Sequence, residues 1–524
     1  MPSHSPQRLS RRNFLAVGGL SLGAALLLPG CEAAVDQQAK KSGGLASNGG
    51  TLHIVQTADI APATLLSQNN PNFSICRTVF NTLTEYDHKT LQPQPSLATS
   101  WDVKDAGKTY VLTLRDDVKY HSGRPFGPDD VVAVIGLLQQ NATVSQMKHV
   151  AAICDASKTG ANEVTLKFSQ AVTNVFDLFE MMIMVDKESY PDLLTGGKFI
   201  GTGPLTMKSY LPGTGFTLQQ NPGYWKAGRP YLDGVQMTVV TQSSSAVAAL
   251  KSGQAQLALD LAPLDAAALS TTEGFDLVQS DAFDAVYYIG QNVTVRPLDN
   301  PQVRQAIAWA IDRDRILNEV LGKIGYTSSL PWAKSSPAYD ASKLGAYRLN
   351  ASKAKSLLAA AGATGASVDL YYNAGFAPNG QIAEIVQFGL TGAGLKVNPK
   401  PTQAADFLTQ LSGKGIPGLF VNVHGFGQLH PATLVKGAFP FNAAKNAEQY
   451  TSNAYTQVAN EMWTSADPAA AKQGYDNVND LLLSQQFVTD LVVSAHTYAV
   501  TTKLQGLAWN MFDYLDLDAA QLAA

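Results

Sequence analysis

The sequence predicts an α/β protein of two lobes, and three observations lead to this fold class. The chain has 524 residues, whereas a single hydrophobic core stops growing at roughly 250–300 residues. Segments with strand character alternate with segments of helical periodicity, and no constant repeat period indicates a solenoid or a propeller. No low-complexity linker divides the middle of the chain. We therefore expect lobes that are joined by crossing strands, with a ligand between them.

Composition and charge argue against two classes of protein. Hydrophobic residues make up 45% of the chain and charged residues 15%. After the first thirty positions no apolar run reaches the roughly 18 residues of a membrane span. The formal net charge is −4, and removing the +3 of Arg8, Arg11 and Arg12 leaves −7 for the rest of the chain. This negative charge argues against nucleic acid as a partner.

The number of cysteines constrains the disulfide content of the protein only weakly. Three cysteines are too few for a disulfide scaffold. Cys31 has a separate explanation in the leader, which leaves Cys76 and Cys154 either as a disulfide pair or as two buried, small apolar residues. We expect the second alternative.

The first thirty residues form an export signal. A basic region at 8–12 precedes an apolar stretch at 14–28 that is too short and too rich in glycine to span a bilayer. Within it, residues 10–15 (SRRNFL) resemble the twin-arginine export signal, which is read by a translocase that accepts folded proteins. Residues 28–31 (LPGC) resemble a lipobox, so we expect Cys31 to carry a diacylglycerol anchor. Residues 31–50 have little to bury and are expected to form a flexible tether.

Local patterns predict the first elements of the folded part. Residues 51–55 and 110–114 alternate or run apolar as strands do. Helix start signals precede several periodic segments: Pro128, Asn300 and Asn350 stand at the expected beginnings, and Gly362 at an expected end. The helices that these signals predict cover 129–138, 243–250, 300–321 and 350–361.

Two glycines predict a tight turn ahead of a strand. Gly201 and Gly203 flank Thr202 and are followed by Pro204. We expect glycine here because it tolerates the positive φ that other residues avoid.

A series of spaced motifs resembles one known family, the extracellular solute-binding proteins of the peptide and nickel importers. Each motif alone is weak, but together they follow the family's order from about residue 51 to the C-terminus. The motifs are LATSW at 97–101, YVLTLRDDVKYHSGRPF at 110–126, GTGPL at 201–205, NPGYW at 221–225, YLDGV at 231–235, AALKSG at 248–253, PQVRQAIAWAIDR at 301–313, and YRLN at 347–350 with AKSLLAAAG at 354–362.

The resemblance implies a two-lobed fold of the class II periplasmic-binding-protein type with an extra small domain in the first lobe. It also implies a monomeric receptor without catalysis or cofactor, which captures a solute between the lobes and delivers it to the permease of an ATP-powered (ABC) importer. With the leader, this places the protein in the periplasm or on the outer face of the cytoplasmic membrane. The expected domains are the signal peptide 1–30, the tether 31–50, lobe I at 51–80 with 200–286 and 497–524, the extra domain 81–199, and lobe II at 287–496.

The resemblance further implies that pocket residues come from three segments, which are 70–80, 326–332 and 423–433 in this chain. Aromatic rings give contact area at little entropic cost, which favours Phe73 and Trp332 as ligand contacts. Ser74 beside Phe73 and Tyr372 in a strand-like segment are further candidates. The late loop 423–431 (VHGFGQLHP) supplies the remaining candidates, which are His424, Phe426, Gln428 and His430.

The late loop also distinguishes this chain from the peptide-binding members that it resembles. Those members carry an aspartate there that pairs with the ammonium group of a peptide, whereas residues 423–431 contain no acidic side chain. Burying an ammonium group without a counter-charge costs several kcal/mol. We therefore expect a non-peptide or modified-peptide solute.

Three alternatives stay open at this point. His424 and His430 on one loop suggest a nickel or metal-chelate receptor, because neutral imidazole suits nickel, copper and zinc. A secreted hydrolase is the second alternative, although no Gly-x-Ser-x-Gly, His-Glu-x-x-His or phosphate-binding motif is present. The third is a structural or signalling lipoprotein that kept the receptor fold and lost its importer.

Overall fold

The computed structural model describes residues 46–523, except 68, 69, 88, 89, 144, 280–282, 284, 414, 428 and 466. The expected signal peptide, the lipidation site Cys31, most of the tether and the candidate Gln428 lie outside the described residues. None of the helices in the described part of the chain combines the length and the apolar character that crossing a membrane requires.

Lobe I is built on a seven-stranded mixed sheet. Its central strand, Thr51–Gln56, is buried at Leu52 and Ile54 and runs parallel to both of its neighbours. In spatial order the strands are Phe275–Gln279, Thr497–Thr501, Leu257–Leu259, Thr51–Gln56, Gly234–Val239, Gly215–Gln220 and Leu205–Leu211. The C-terminal segment forms two small sheets. In one, Gln521–Ala523 lies between Leu504–Gln505 and the early strand Ala46–Ser47; in the other, Ala508–Trp509 pairs with Leu515–Asp516.

The extra domain is a separate four-stranded antiparallel sheet. Its strands in spatial order are Ala98–Lys104, Thr109–Leu114, Glu163–Phe168 and Cys154–Lys158. A two-stranded ribbon of Thr84–Tyr86 and Pro93–Pro95 leads into it. One face of the sheet is covered by aromatic rings, in which Tyr110 contacts Phe168, Phe176 and Phe179 edge to face.

Lobe II contains a six-stranded mixed sheet. Its strands in spatial order are Tyr326–Thr327, Val488–Ser494, Ala285–Gln291, Leu419–His424, Ser367–Asn373 and Lys396–Thr402. Strand Ala285–Gln291 belongs wholly to this sheet, so the change of lobe falls before Ala285 rather than after residue 286. Among the described residues the chain passes between the two large sheets after Gln279 and after Ser494, which agrees with lobes joined by crossing strands.

Helices cover the three sheets. Those of lobe I are Pro62–Ser67, Asn70–Asn72, Phe73–Cys76, Ser243–Lys251 and Pro263–Leu269. Those of the extra domain are Asp105–Gly107, Pro128–Gln139, Lys148–Ala151, Val175–Met181 and Tyr190–Leu194. Those of lobe II are Pro301–Ala310, Arg313–Arg315, Ile316–Val320, Ala351–Ala360, Ala377–Ala393, Ala404–Ser412, Pro431–Gly437, Asn453–Thr464 and Pro468–Gln485.

The helix starts predicted at Asn300 and Asn350 are confirmed, whereas the end predicted for the first of these helices is wrong. The side chain of Asn300 accepts from the backbone N–H of Gln302, and that of Asn350 accepts from Lys353, both at 2.9 Å. The helix expected over 300–321 instead ends at Ala310. Asp312 accepts from the backbone N–H of Arg315 at 2.9 Å and so caps a new, short helix, which breaks the periodic segment in two.

Gly201 and Gly203 are required for a different reason from the one expected. Neither has a positive φ. A Cβ at Gly201 would lie 2.0 Å from the carbonyl oxygen of Val79, and one at Gly203 would lie 2.6 Å from the carbonyl carbon of Val79. The backbones approach closely because the N–H of Gly203 donates to Val79 O at 3.0 Å. Close backbone approach therefore explains both glycines.

Both cysteines of the folded part are buried and unpaired, as expected. Burial raises the pKa of the Cys154 thiol to about 12 and that of Cys76 further still. Both side chains therefore act as small apolar core residues at neutral pH.

Candidate ligand-binding site

A small cavity opens at one end of the lobe I sheet. Strand Thr51–Gln56 pairs in parallel with Leu257–Leu259, and Gln56 and Leu259 are opposite each other at the carboxyl ends of both strands. Ligands of open α/β sheets bind beyond these strand ends. The enclosed part measures about 10 Å³, which is the size of one water molecule. Its lining residues are Gln56, Phe73, Ser74, Leu259, Asp260, Tyr498, Trp509, Asp513 and Leu515.

Two predicted site residues, Phe73 and Ser74, lie in this cavity on the short helix Phe73–Cys76. Asn72 directly before them is fixed by its side chain, which accepts from Ala61 N at 2.7 Å and donates to Ala61 O at 3.0 Å. The ring of Phe73 lies 5.3 Å from that of Tyr514. The helix is thus held rigidly against the C-terminal segment of the chain.

The remaining wall comes from residues that the sequence analysis missed. Trp509 stacks on Tyr498 with 4.4 Å between ring centroids. Gln56 and Asp260 follow or end parallel strands, so the strand-end rule could have indicated them from the sequence. Trp509 and Asp513 come from the C-terminal segment, more than 400 positions from Phe73 in a chain of 524, and no local pattern brings them there.

The late loop of lobe II is packed instead of open. His424 ends strand Leu419–His424 and is 4% exposed, with its ring 5.4 Å from Tyr288 and 5.2 Å from Phe441. Its Nδ1 accepts from the backbone N–H of Phe426 at 3.2 Å, while Nε2 has no hydrogen-bond partner in the described chain. Phe426 is equally buried beside it. Burial lowers the pKa of His424 to about 3, so the imidazole is neutral at physiological pH.

His430 lies where lobe II meets the extra domain. Its Nδ1 accepts from the backbone N–H of Ala432 at 3.2 Å and lies 3.4 Å from the hydroxyl of Thr173, and its Nε2 lies 3.3 Å from the hydroxyl of Tyr475. Its backbone N–H donates to Asp177 of the extra domain at 3.1 Å. Burial lowers the pKa of His430 to about 4. Both ring nitrogens are thus engaged within the protein.

Trp332 and Tyr372 are also placed away from the lobe I cavity. Trp332 is fully buried, and its indole N–H donates to Asn479 at 2.6 Å. Tyr372 packs with the helix-covered core of lobe II near Gly380. Its neighbour Tyr371 packs on the opposite face of the same strand, because side chains alternate along a strand. Ligand contact by Tyr372 stays a prediction, and its neighbours place it on the helix-covered face of the lobe II sheet.

Lobe II does hold two deeply buried carboxyl groups behind the loop, Glu448 and Asp490. Burial raises the pKa of Asp490 to about 8, against the opposing charge of Arg313, and raises the pKa of Glu448 well above its usual range. In both groups burial therefore favours the protonated, uncharged form. Among the described residues no group of three or more histidine, cysteine or acidic side chains could hold a metal ion.

Comparison with known proteins places this fold in one family. The model of the bacterial extracellular solute-binding proteins, family 5 middle region, matches residues 92–435. Di/tripeptide-binding protein 1 of Pseudomonas aeruginosa is 25% identical over 472 residues, which cover 80% of this chain and 83% of that protein. Heme-binding protein A of Haemophilus influenzae is 27% identical over 379 residues, or 66% of this chain and 69% of that one.

Solved structures share the fold at lower identity. The binding protein AgaA of A. tumefacien R10, in complex with agropinic acid, superposes with a TM-score of 0.80 at 21% identity and covers 91% of this chain and 99% of that chain. The oligopeptide-binding protein AppA of Bacillus subtilis, in complex with a nonapeptide, has a TM-score of 0.78 at 22% identity and covers 92% and 100%. The family match spans well over half of the sequence, and the chain belongs to family 5 of the bacterial extracellular solute-binding proteins, the receptors of ABC importers for peptides or related solutes.

Proposed function

We propose that this receptor binds a non-peptide or modified-peptide solute and presents it to its importer from a lipid anchor at Cys31. The observation that carries the proposal is the chemistry of segment 423–431, which has no acidic side chain. This segment therefore brings no carboxylate of its own to the ammonium group of a peptide, and burial favours the uncharged form of Glu448 and Asp490 behind it.

Solute capture is expected to begin on lobe I. Phe73 and Ser74 lie beside polar groups at the strand ends, which is where a ligand docks in an α/β sheet. Lobe II then closes over the bound solute towards lobe I and its extra domain, and contacts between the two sides stabilise the closed state. Asp177 contributes to this closure, because it accepts from His430 N and from the hydroxyl of Thr433, at 3.1 and 2.9 Å.

A nickel-chelate receptor is the second candidate, supported by the pair of histidines on the late loop. Against it, both ring nitrogens of His430 lie at hydrogen-bond distance from protein groups, and Nδ1 of His424 accepts from Phe426 N. The remaining nitrogen, Nε2 of His424, is buried beneath three aromatic rings. These contacts favour an organic solute over a metal.

The test is a thermal-unfolding screen of the full-length chain against peptides, sugars, aromatic acids, and nickel with and without histidine. A solute at 100 times its dissociation constant adds about 2.7 kcal/mol to the unfolding free energy. We expect stabilisation by an organic solute without its turnover. Stabilisation by nickel with histidine alone supports the second candidate, and cleavage of chromogenic esters or peptides contradicts the receptor function.

The anchor is tested separately. Residues 10–15 and 28–31 support export by the twin-arginine route and lipidation at Cys31. We expect the exported wild type to fractionate with membranes, whereas Cys31→Ser is released into the soluble fraction. An unchanged membrane fraction in Cys31→Ser contradicts the anchor.

A further inference from the structure

We propose that the lobe I cavity binds one hydroxyl group of the transported solute, which accepts a hydrogen bond from the indole N–H of Trp509 and donates one to Oε1 of Gln56. This inference rests on the proposed receptor function and specifies the chemistry of its solute. It makes a neutral hydroxyl group the feature that lobe I recognises.

Two polar atoms of the cavity wall are buried and lack a hydrogen-bond partner among the described residues. They are Oε1 of Gln56, whose residue is 1% exposed, and Nε1 of Trp509, whose residue is 9% exposed. Buried polar groups are normally paired, so each atom indicates a missing partner. The amide oxygen requires a hydrogen-bond donor, and the indole N–H requires an acceptor.

Both side chains are held in place by contacts that do not use these two atoms. Gln56 Nε2 donates to Pro71 O at 2.9 Å, which fixes the amide and leaves its oxygen as the acceptor. Trp509 stacks on Tyr498 with 4.4 Å between the ring centroids and 16° between the ring planes. The donor and the acceptor are therefore positioned before a solute arrives, which lowers the entropic cost of binding.

The size of the cavity restricts the partner to a single small group. The enclosed volume of about 10 Å³ accommodates one group as large as a water molecule. This group must therefore serve both wall atoms, which requires a donor and an acceptor in one. A hydroxyl group meets this requirement. An ammonium group has no lone pair to accept from Trp509, and a carboxylate or ketone oxygen has no proton to donate to Gln56.

The other residues of the wall suit a neutral group. The aspartates do not require a counter-ion from the solute, because Asp260 lies 4.0 Å from His496 and Asp513 also has a partner within the chain. Leu259 and Leu515 add apolar surface to the same space. A hydroxyl group enters such surroundings at a lower desolvation cost than an ion does, provided that its hydrogen bonds form.

The experiment compares solutes that differ by one hydroxyl group. Calorimetric titration of the full-length chain uses 3-phenyllactate beside 3-phenylpropionate, L-seryl-L-leucine beside L-alanyl-L-leucine, and D-glucose beside its monodeoxy derivatives. We expect at least one hydroxylated probe to bind, and a hydroxyl-free partner to bind at least about 10-fold more weakly, because two hydrogen bonds to buried groups are lost. The O-methyl ether of the same hydroxyl group should lose at least as much, because it has no proton to donate and is larger.

A variant of the indole connects this preference to the cavity. Trp509→Phe keeps a ring against Tyr498 and removes the N–H. It should weaken the hydroxylated probe about 3- to 10-fold and leave the hydroxyl-free partner unchanged, so that the ratio between the two affinities shrinks. A purely structural role of Trp509 would weaken both members of the pair equally. Trp101→Phe, in strand Ala98–Lys104 of the extra domain, is the matched control and should keep the wild-type ratio.

A crystal structure with the bound hydroxylated probe gives a measurement that does not depend on the folding of a variant. We expect the hydroxyl oxygen of the probe within about 3.2 Å of both Trp509 Nε1 and Gln56 Oε1. A water molecule at this place, with the probe bound elsewhere, overturns the hydroxyl site.

The outcomes of the titrations separate this inference from the receptor function. Equal binding of both members in every pair, or an unchanged ratio in folded Trp509→Phe, overturns the hydroxyl site and leaves the receptor function standing. If other solutes of the broader screen bind and none of the hydroxylated probes does, the hydroxyl site is wrong and the receptor function again stands. If no solute of any class binds, both fail.

Discussion

The lobe I cavity and the late loop of lobe II are built in opposite ways. The cavity lies at strand ends, is lined by carboxylates, and leaves Gln56 Oε1 and Trp509 Nε1 without partners among the described residues. The loop is held by its own contacts: His430 lies within hydrogen-bond distance of Ala432, Thr173 and Tyr475, and His424 is enclosed by rings. The comparison teaches that the histidines noticed first in the sequence hold lobes and domains together, while the groups suited to a ligand lie elsewhere.

The largest expected effect is the loss of stability on truncating Trp332. This side chain is fully buried and its indole N–H donates to Asn479. Trp332→Ala should lower the free energy of unfolding by about 3–5 kcal/mol, measured by urea denaturation. Trp332→Phe is the matched control and should lose clearly less. A stable Trp332→Ala protein that no longer binds solute would instead identify Trp332 as a ligand contact.

The second effect is a pH dependence that originates in His424. Its folded-state pKa of about 3 lies below the ordinary value of 6.5, so the folded protein favours neutral imidazole. As the pH falls through 6.5 the unfolded chain takes up a proton that the folded chain does not, and stability is lost. Between pH 6.5 and about 4.5 this loss amounts to about 2–3 kcal/mol.

Buried acids with raised pKa values oppose this effect, because the folded chain binds protons there more readily than the unfolded chain as the pH falls from about 8. The measurement is therefore a difference between wild type and His424→Asn, whose amide oxygen can still accept from Phe426 N. We expect the wild type to lose stability relative to this variant as the pH falls from 6.5 to 4.5. Parallel pH profiles would show that His424 is accessible to solvent and open to ligand.

The third effect concerns the contact between the extra domain and lobe II. The hydroxyl of Thr433 donates to Asp177 at 2.9 Å and accepts from the amide of Asn174 at 2.6 Å. Thr433→Val keeps the shape and leaves both polar partners short of one bond, which should lower stability by about 1–2 kcal/mol. Small-angle scattering should also show a larger share of open molecules. Thr409→Val, in an exposed helix of lobe II, is the control.

The sequence predicted the fold more fully than the site, for physical reasons. Buried strands, N-cap residues and ordered motifs are local signals, and they located elements such as Thr51–Gln56 and Ala351–Ala360 within one or two residues. The site depends on side chains that meet only after folding. Phe73 and Ser74, which line the cavity, were predicted because a resemblance indicated their segment. Asp513 and Trp509 reach the cavity through the C-terminal segment, and their neighbours in sequence contain no sign of it.

The smallest expected effect, and the most direct comparison of the two regions, pairs Tyr372 with Phe73. Tyr372 was predicted to touch ligand, but strand alternation turns it towards the helices of lobe II, whereas Phe73 lines the cavity of lobe I. Tyr372→Phe should change the affinity for the identified solute less than twofold and the unfolding free energy by less than about 0.5 kcal/mol. Phe73→Leu keeps a buried apolar group but removes the ring, and should weaken binding about 3- to 10-fold. Calorimetric titration of the two variants decides between the regions, because a larger effect at Tyr372 than at Phe73 would move the binding site to lobe II.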